Sequence, residues 1–295
     1  MLLYDFLHII LVVYWRVNGW DNVLNIMTVD VEEMYHAELL RGVFNVSRPM
    51  VAKYAVKFLL KILETHGSTA TFFIVGEILE HFPELKTIIK SYDCEVGFHG
   101  WQHEPLWSLT PKEFKEHVRK FKKIAPTCVG YRAPCFSLTH KTSWAINILM
   151  DENFIYDSSI FPIITPMYRN PRSPSYPFVF RHSEKKLIEF PLAVYDLAGV
   201  RFPVAGGVWL RLLNYNIIER AIRKLNRKSL PAVIYLHTWE ILPYIHQNSF
   251  HKGRGGWRIT LHMFGMNTVL KKLILLLKNF RFVSVIDFMK EYGWI

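Results

Sequence analysis

Strands that alternate with helical periodicities predict a parallel α/β fold, a barrel of about seven units that is closed or nearly closed. Three observations carry that expectation. Short β-branched and aromatic runs recur between longer amphipathic runs. Polar residues of catalytic type stand at the ends of successive strands, where parallel barrels keep their chemistry. A chain of 295 residues with 51% hydrophobic and 21% charged residues can bury a large core and is not disordered. A doubly wound open sheet is the alternative. No fixed-period repeat and no linker composition appears. Residues 25–295 therefore read as one domain behind an apolar extension, residues 1–24.

The elements follow in order. NIMTVDV, Asn25 to Val31, reads as the first strand. From Pro49 to His66 apolar residues recur at helical spacing (Val51, Tyr54, Ala55, Phe58, Leu59, Ile62, Leu63), and Gly67 stops the helix. TATFFIV, Thr69 to Val75, is the second strand. Pro83 to Ser91 predicts a short helix, Glu95 to Phe98 a third strand, and Pro111 to Ile124 an amphipathic helix with Lys112, Lys115, Lys120, Lys122 and Lys123 on its wet side. Val129 to Tyr131 is a short strand and Lys141 to Met150 a helix; Tyr156 opens a strand-like piece. From Ile163 to Pro203 the texture changes to dense Pro, Tyr, Arg and Ser, which predicts a long loop region with short strands such as Leu187 to Pro191. Asn214 to Lys228 returns to helix, Ala232 to Leu236 to strand, Asn267 to Asn279 to helix, Phe282 to Ser284 to strand and Ile286 to Tyr292 to helix.

Lys plus Arg number 36 and Asp plus Glu 25, a net charge of +11. Such a surplus suits an anionic partner, but no nucleic-acid motif accompanies it, so solvated helix faces are the reading for Arg220, Arg223, Lys224, Arg227 and Lys228. The three cysteines, Cys94, Cys128 and Cys135, contain no CxxC pair; neither a disulfide framework nor a cysteine zinc knuckle is expected. Leu2 to Trp15 is apolar but too short to span a bilayer and lacks the marks of a signal peptide. The expectation is a cytoplasmic protein, with peripheral contact at the inner face of a membrane suggested by the apolar N-terminus and the charge. HKGRGGWR, His251 to Arg258, reads as a mobile basic loop and lacks the phosphate-loop pattern.

The first strand ends in Asp30, Glu32 and Glu33, the third in His99 and His103, the next in Arg132; Asp157 follows a later one, and another, Ala232 to Leu236, ends in His237 and Glu240. Singly each has an ordinary explanation: a helix cap, a surface ion pair, a hydrogen-bonded core histidine. The ordered set points to metal-assisted hydrolysis. Side chains alternate along a strand, so Asp30 and Glu32 share a face and Glu33 points away. Two carboxylates on one face need a cation or a proton between them. Imidazoles four residues apart can grip one metal. Glu32, His99 and His103 would supply three ligands and leave a position for water, whose pKa a metal lowers from ~15.7 toward ~7. Asp30 would take the water's proton, with Arg132 pairing to it and holding it oriented. His237 would protonate the leaving amine. Trp101 and Trp239, inside the motifs, are candidates to stack on sugar rings; for Trp107, Trp209 and Trp257 core packing is the default.

The motifs TVDVEE (Thr28 to Glu33), GFHGWQH (Gly97 to His103), GYRAPCFS (Gly130 to Ser137), YDSS (Tyr156 to Ser159) and LHTWE (Leu236 to Glu240) resemble, in this order, the polysaccharide deacetylases of the NodB-homology group, carbohydrate esterase family 4. With GGVWLRLL (Gly206 to Leu213), they are similar to the subgroup found in exopolysaccharide gene clusters. The resemblance implies a distorted (β/α) barrel and removal of N-acetyl groups from an amino-sugar polysaccharide or its lipid-linked precursor. A deformylase or amidohydrolase of a small sugar, or a catalytically weak carbohydrate-binding barrel, are the other readings. It also implies Asp30 as base, His237 as acid, Arg132 as the residue that orients the base, His99 and His103 as ligands of a divalent ion, with zinc expected, and the Tyr131 backbone N–H at the oxyanion. Pro134, Asp157, Trp101 and Trp239 are expected on the substrate side. Val31 stands where the commoner pattern has a second aspartate, so Glu32 is the expected carboxylate ligand.

Overall fold

The structure, a computed structural model, describes residues 11–12, 23–40, 51–164, 170–242 and 256–295. Residues 1–10 and 13–22 of the apolar extension, and 251–255 of the basic glycine-rich segment, lie outside the described residues.

Twelve strands are described: β1 (Leu11–Val12), β2 (Asn25–Val31), β3 (Thr71–Ile74), β4 (Glu95–Phe98), β5 (Gly130–Tyr131), β6 (Tyr156–Asp157), β7 (Phe178–His182), β8 (Lys185–Glu189), β9 (Val194–Leu197), β10 (Val200–Pro203), β11 (Val233–His237) and β12 (Phe282–Val283). The helices are α1 (Ala52–Thr65), α2 (Gly76–His81), α3 (Leu85–Lys90), α4 (Pro111–Ile124), α5 (Trp144–Asp151), α6 (Val208–Leu212), α7 (Tyr215–Asn226), α8 (Gly256–Met263), α9 (Val269–Asn279) and α10 (Val285–Glu291).

The main sheet runs β1-β7-β8-β6-β5-β4-β3-β2-β11, with β12 also on β2. From β8 to β11 every neighbouring pair is parallel, and β7 and β1 add antiparallel edges. The ladder itself is open between β8 and β11, but irregular chain bridges the gap. Ala193 N donates to Val233 O at 3.1 Å and Tyr235 N to Ala205 O at 2.9 Å. The result is an α/β fold with a mostly parallel sheet, rounded as a distorted barrel.

The sequence explains the core elements. α4 begins with a capping box, Thr110 accepting from Glu113 N, and has Pro111 at its first turn. It buries Phe114, Val118 and Phe121 and leaves its lysines wet. β2 and β3 are buried along their whole length, because helices cover one face and the barrel interior fills the other. The predicted loop region, Ile163 to Pro203, holds more order than its composition suggests: β7 and β8 form a hairpin, and β9 and β10 a second small sheet. Turns at Ser183 (φ 51°) and at Ala198 and Gly199 (φ 52° and 84°) close both hairpins without a helical or long-strand signature. α2 and α6 also lack a sequence signal; each is a single short helix fixed by its neighbours. Trp107 and Trp257, expected in the core, are 52% and 67% exposed, whereas Trp209 packs against the core as expected.

Candidate active site

Strand register assembles the site. In the parallel pair β11–β2, His237 stands directly beside Asp30. His99 follows β4, its backbone N–H tied to Ile74 O, and Arg132 follows β5, its N–H tied to Phe98 O. All four thus reach the C-terminal end of the sheet. Gly100, at φ 75°, turns the chain after His99 where a Cβ would press on Pro134 at 2.8 Å.

Arg132 is fully buried, and four of the five N–H donors of its guanidinium make the hydrogen bonds that follow. Nη1 donates to Asp30 Oδ1 at 2.8 Å and to Thr28 Oγ1 at 2.7 Å; Nε donates to Ser158 O at 2.9 Å and Nη2 to Ser158 Oγ at 2.8 Å. The plane rests 4.4 Å from the Phe73 ring centre. A buried cation is tolerable only with such pairing. The consequence is an Asp30 carboxylate fixed in direction, with its second oxygen, Oδ2, 3.9 Å from His99 Nε2.

Glu32, His99 and His103 each bring a ligand atom to within 4.8 Å of the others, all three buried. His99 Nδ1–H donates to Arg132 O at 2.9 Å, which leaves Nε2 as the lone-pair atom facing Asp30. His103 Nε2 lies 2.5 Å from Glu32 Oε2. Glu32 Oε1 accepts from Trp239 Nε1 at 2.9 Å, and the Glu32 backbone exchanges hydrogen bonds with the Thr238 hydroxyl. Burial opposes ionisation of Glu32, but His103, His237 and His99 together hold its carboxyl well below the usual range. Burial pushes His99 down to about 4, which keeps the imidazole neutral and able to ligate. One carboxylate and two imidazoles are a donor set that fits a divalent ion of the zinc type.

Glu33 is elsewhere. Its Oε1 accepts from Ala52 N at 2.8 Å and caps α1. Burial raises its carboxyl to about 7.

His237 is the most open group of the constellation, with 17% of its side chain exposed against 3% for Glu32 and 2% for Asp30. Its Nδ1–H donates to Glu240 Oε2 at 3.0 Å, and Nε2 points toward Glu32 Oε1 at 3.6 Å. Burial works against its charge, but Glu240, Glu32 and Asp30 raise it to about 9. The imidazole is therefore protonated at neutral pH. Arg211 Nε lies 3.1 Å from Glu240 Oε1, and its Nη1 donates to His262 O. Gly207, at φ 55°, lies so close to β11 that a Cβ there would meet Tyr235 Oη at 2.5 Å and His237 Cε1 at 3.2 Å.

Comparison with known proteins adds to this geometry. The family profile described as Polysaccharide deacetylase matches residues 51–143, and one described as a domain of unknown function, DUF3473, matches residues 158–290. The likeness to the polysaccharide deacetylases thus rests on residues 51–143. Strands β3 to β5 of the one matched stretch and β7, β8 and β11 of the other share one sheet. The Peptidoglycan deacetylase-like protein FGM2 of Gibberella zeae is 36% identical over 110 residues, which cover 35% of this chain and 31% of that protein. The Peptidoglycan deacetylase of Helicobacter pylori is 30% identical over 133 residues, 42% of this chain and 44% of that one. The aligned residues thus span less than half the length of these curated relatives. A Mycobacterium smegmatis structure assigned to the polysaccharide deacetylases superposes with a TM-score of 0.58 at 17% identity, covering 96% of this chain and 93% of that one. The Puue Allantoinase structure superposes with a TM-score of 0.53 at 13% identity, covering 82% and 91%. Both show the fold.

The remaining expected residues fall in three settings. The Tyr131 ring packs among Phe98, Phe114 and Phe154, so only its backbone can face the site. Trp239 stacks on His237 with ring centres 4.6 Å apart and is flanked on another side by His262 at 4.4 Å. Trp101 lies under Lys120, 3.6 Å from its ring centre, and over Gly76, where a Cβ would collide at 2.5 Å. Both tryptophan faces are thus covered by protein. Asp157 is fully buried; its Oδ1 accepts from Ser159 Oγ at 2.5 Å and it neighbours Glu189 across β6–β8. Sequence reasoning passed over Thr28, Ser158, Thr238, Glu240 and Arg211 as supports. Glu240 and Arg211 lie inside the quoted motifs LHTWE and GGVWLRLL, which was the available signal.

Proposed function

We propose that this chain is a zinc-type metal-dependent deacetylase that hydrolyses the N-acetyl amide of an amino sugar in a polysaccharide or its lipid-linked precursor. The observation that carries the reading is the convergence of Asp30, oriented by Arg132, and His237 on the Glu32, His99 and His103 set. Its kinship with proteins named peptidoglycan deacetylases supports an N-acetylated glycan as the substrate class.

Glu32, His99 and His103 would hold the ion, which when bound lowers the pKa of water and polarises a carbonyl. Asp30 is placed to accept the proton released on attack. Arg132 keeps that carboxylate from rotating away. His237 gives its proton to the amine, which leaves poorly unless protonated. Glu240 keeps His237 charged and fixes the direction of its ring through Nδ1, so that Nε2 carries the proton to be given. The Tyr131 backbone N–H is the proposed donor to the oxyanion, a role worth roughly 3–4 kcal/mol.

Two measurements test this. Wild-type protein should carry about one divalent ion per chain, as one three-ligand site implies, and His99→Ala/His103→Ala should carry none. Acetate release from N-acetylhexosamine glycans should follow the metal. A metal-loaded wild type that releases no acetate from any such glycan would overturn the reading. Among the described residues no helix is long and apolar enough to cross a membrane. Flotation with anionic vesicles measures contact with a lipid surface.

A further inference from the structure

A second cavity, of about 370 Å³, opens at the opposite end of the sheet from the candidate active site. Three turns form it: Ser68 and its neighbours before β3, the end of α7, and the connection from α9 to β12. Arg223, Arg227, Lys278 and Arg281 line it, and no acidic residue does.

Another cavity at the same end makes the contrast. Lys86, Lys90 and Lys290 line it together with Asp93, Glu95 and Asp287. Its lysines are engaged: Lys86 on Ile124 O, Lys90 on Thr127, Lys290 beside Asp287. In the first cavity, Arg223 pairs with Glu219 at 2.8 Å. Among the described residues neither Lys278 nor Arg281 has a carboxylate within 4.0 Å. Helix ends explain part of the charge, since Arg223 and Lys278 lie in the last turns of α7 and α9. A helix C-terminus, however, carries only about half a negative charge. Lys278 and Arg281, with no carboxylate in reach and at most one helix end between them, leave a positive field over a concave surface. Arg281, beyond any helix, has no such structural explanation.

We propose that this cavity binds a phosphate-bearing anion. A guanidinium pairs bidentately with phosphate oxygens, and Arg281 together with the Lys278 ammonium in one cavity favours a compact multivalent anion over a carboxylate. The cavity lies at the small end of the range for ligand pockets, so it suits a phosphate or diphosphate group and not a polymer. The inference is independent of the deacetylase reading, because no residue is shared.

The test is calorimetric titration of the full chain with inorganic pyrophosphate. Three proteins are compared: wild type, Lys278→Ala/Arg281→Ala, and Lys112→Ala/Lys123→Ala on α4, which loses the same charge elsewhere. The expected result is saturable binding that weakens at least ~10-fold in the cavity variant and changes less than ~2-fold in the α4 variant. No saturable binding by wild type, or equal weakening in both variants, overturns the proposal. Flotation with phosphatidylcholine vesicles, with and without phosphatidic acid, separates the sources. Phosphatidic-acid binding lost only in the cavity variant assigns a lipid headgroup, and pyrophosphate binding without vesicle preference assigns a water-soluble phosphate. All four mutated side chains are exposed, so thermal unfolding and metal content should match wild type in both variants.

Discussion

Two cross-strand pairs at the same end of the sheet carry opposite electrostatics. In β2–β11, Asp30 stands beside His237; in β6–β8, Asp157 stands beside Glu189. The first is a carboxylate facing an imidazole, with Arg132 on the carboxylate and Glu240 on the imidazole. The second is two carboxylates in contact, both fully buried. Burial raises Asp157, and burial followed by its neighbour Asp157 raises Glu189 well above the usual range. Two buried carboxylates in contact cannot both ionise, so this pair keeps a proton as internal glue. The same residue type at equivalent strand ends therefore does different work. In the proposed mechanism the proton acceptor and the proton donor both come from the pair furnished with a permanent cation and a charged imidazole.

The comparison breaks most readily at Asp30. Asp30→Asn keeps the size and removes the proton acceptor; acetate release should fall ~10²–10⁴-fold while metal content stays near wild type. Equal activity would show that Asp30, like Asp157, is structural. Next is Arg132, the one cation that separates the two pairs. Arg132→Met takes from buried Asp30 the cation hydrogen-bonded to it and should cost about 3–5 kcal/mol in urea unfolding. Adding Asp30→Asn to it should recover part of that loss, because the uncompensated charge is gone. Strict additivity would mean that the pair is not coupled.

Glu240→Gln is a milder change. It keeps a hydrogen-bond acceptor for His237 Nδ1 and removes the charge that holds the imidazole up to about 9. The basic limb of the kcat profile, where His237 loses its proton, should move to lower pH. At neutral pH kcat should fall by about tenfold, with KM little changed. An unmoved basic limb would exclude His237 as the acid.

Much of this was legible in the sequence. Strand ends carrying Asp30, His99, Arg132 and His237 were visible because strands alternate cleanly with helices, and register then places those ends together. Glu32 over Glu33 followed from side-chain alternation, and the structure turns Glu33 onto α1. Other features depend on tertiary contacts that no local pattern encodes. Whether Trp101 and Trp239 have open faces depends on Lys120, Gly76, His237 and His262, which come from distant segments. That Asp157 meets Glu189 is a matter of β6–β8 pairing across a region read as loop. The cation-lined cavity joins three turns between 66 and 283; from the sequence alone its arginines look like ordinary solvated helix residues.

The smallest expected effect sharpens the comparison from the Asp157 side. Glu189 has its pKa raised on folding, so the native state binds more protons than the unfolded chain once pH exceeds the unfolded value, about 4.3 for Glu. Stability must then fall as pH rises from there through the folded value, and the contribution is complete only below it. Glu189→Gln removes this titration. The amide keeps the carbonyl oxygen that accepts from Ile160 N and offers Asp157 an N–H in place of the shared proton. Unfolding free energies of the two proteins should be close near pH 4. By pH 8 the variant should be the more stable, by about 1 kcal/mol, the scale of one net hydrogen bond. Parallel stability curves from pH 4 to 8 would mean that the buried pair holds no proton, and the contrast with Asp30 and His237 would lose its physical basis. Acetate release should stay within about twofold of wild type, because the change lies away from the proton-transferring groups.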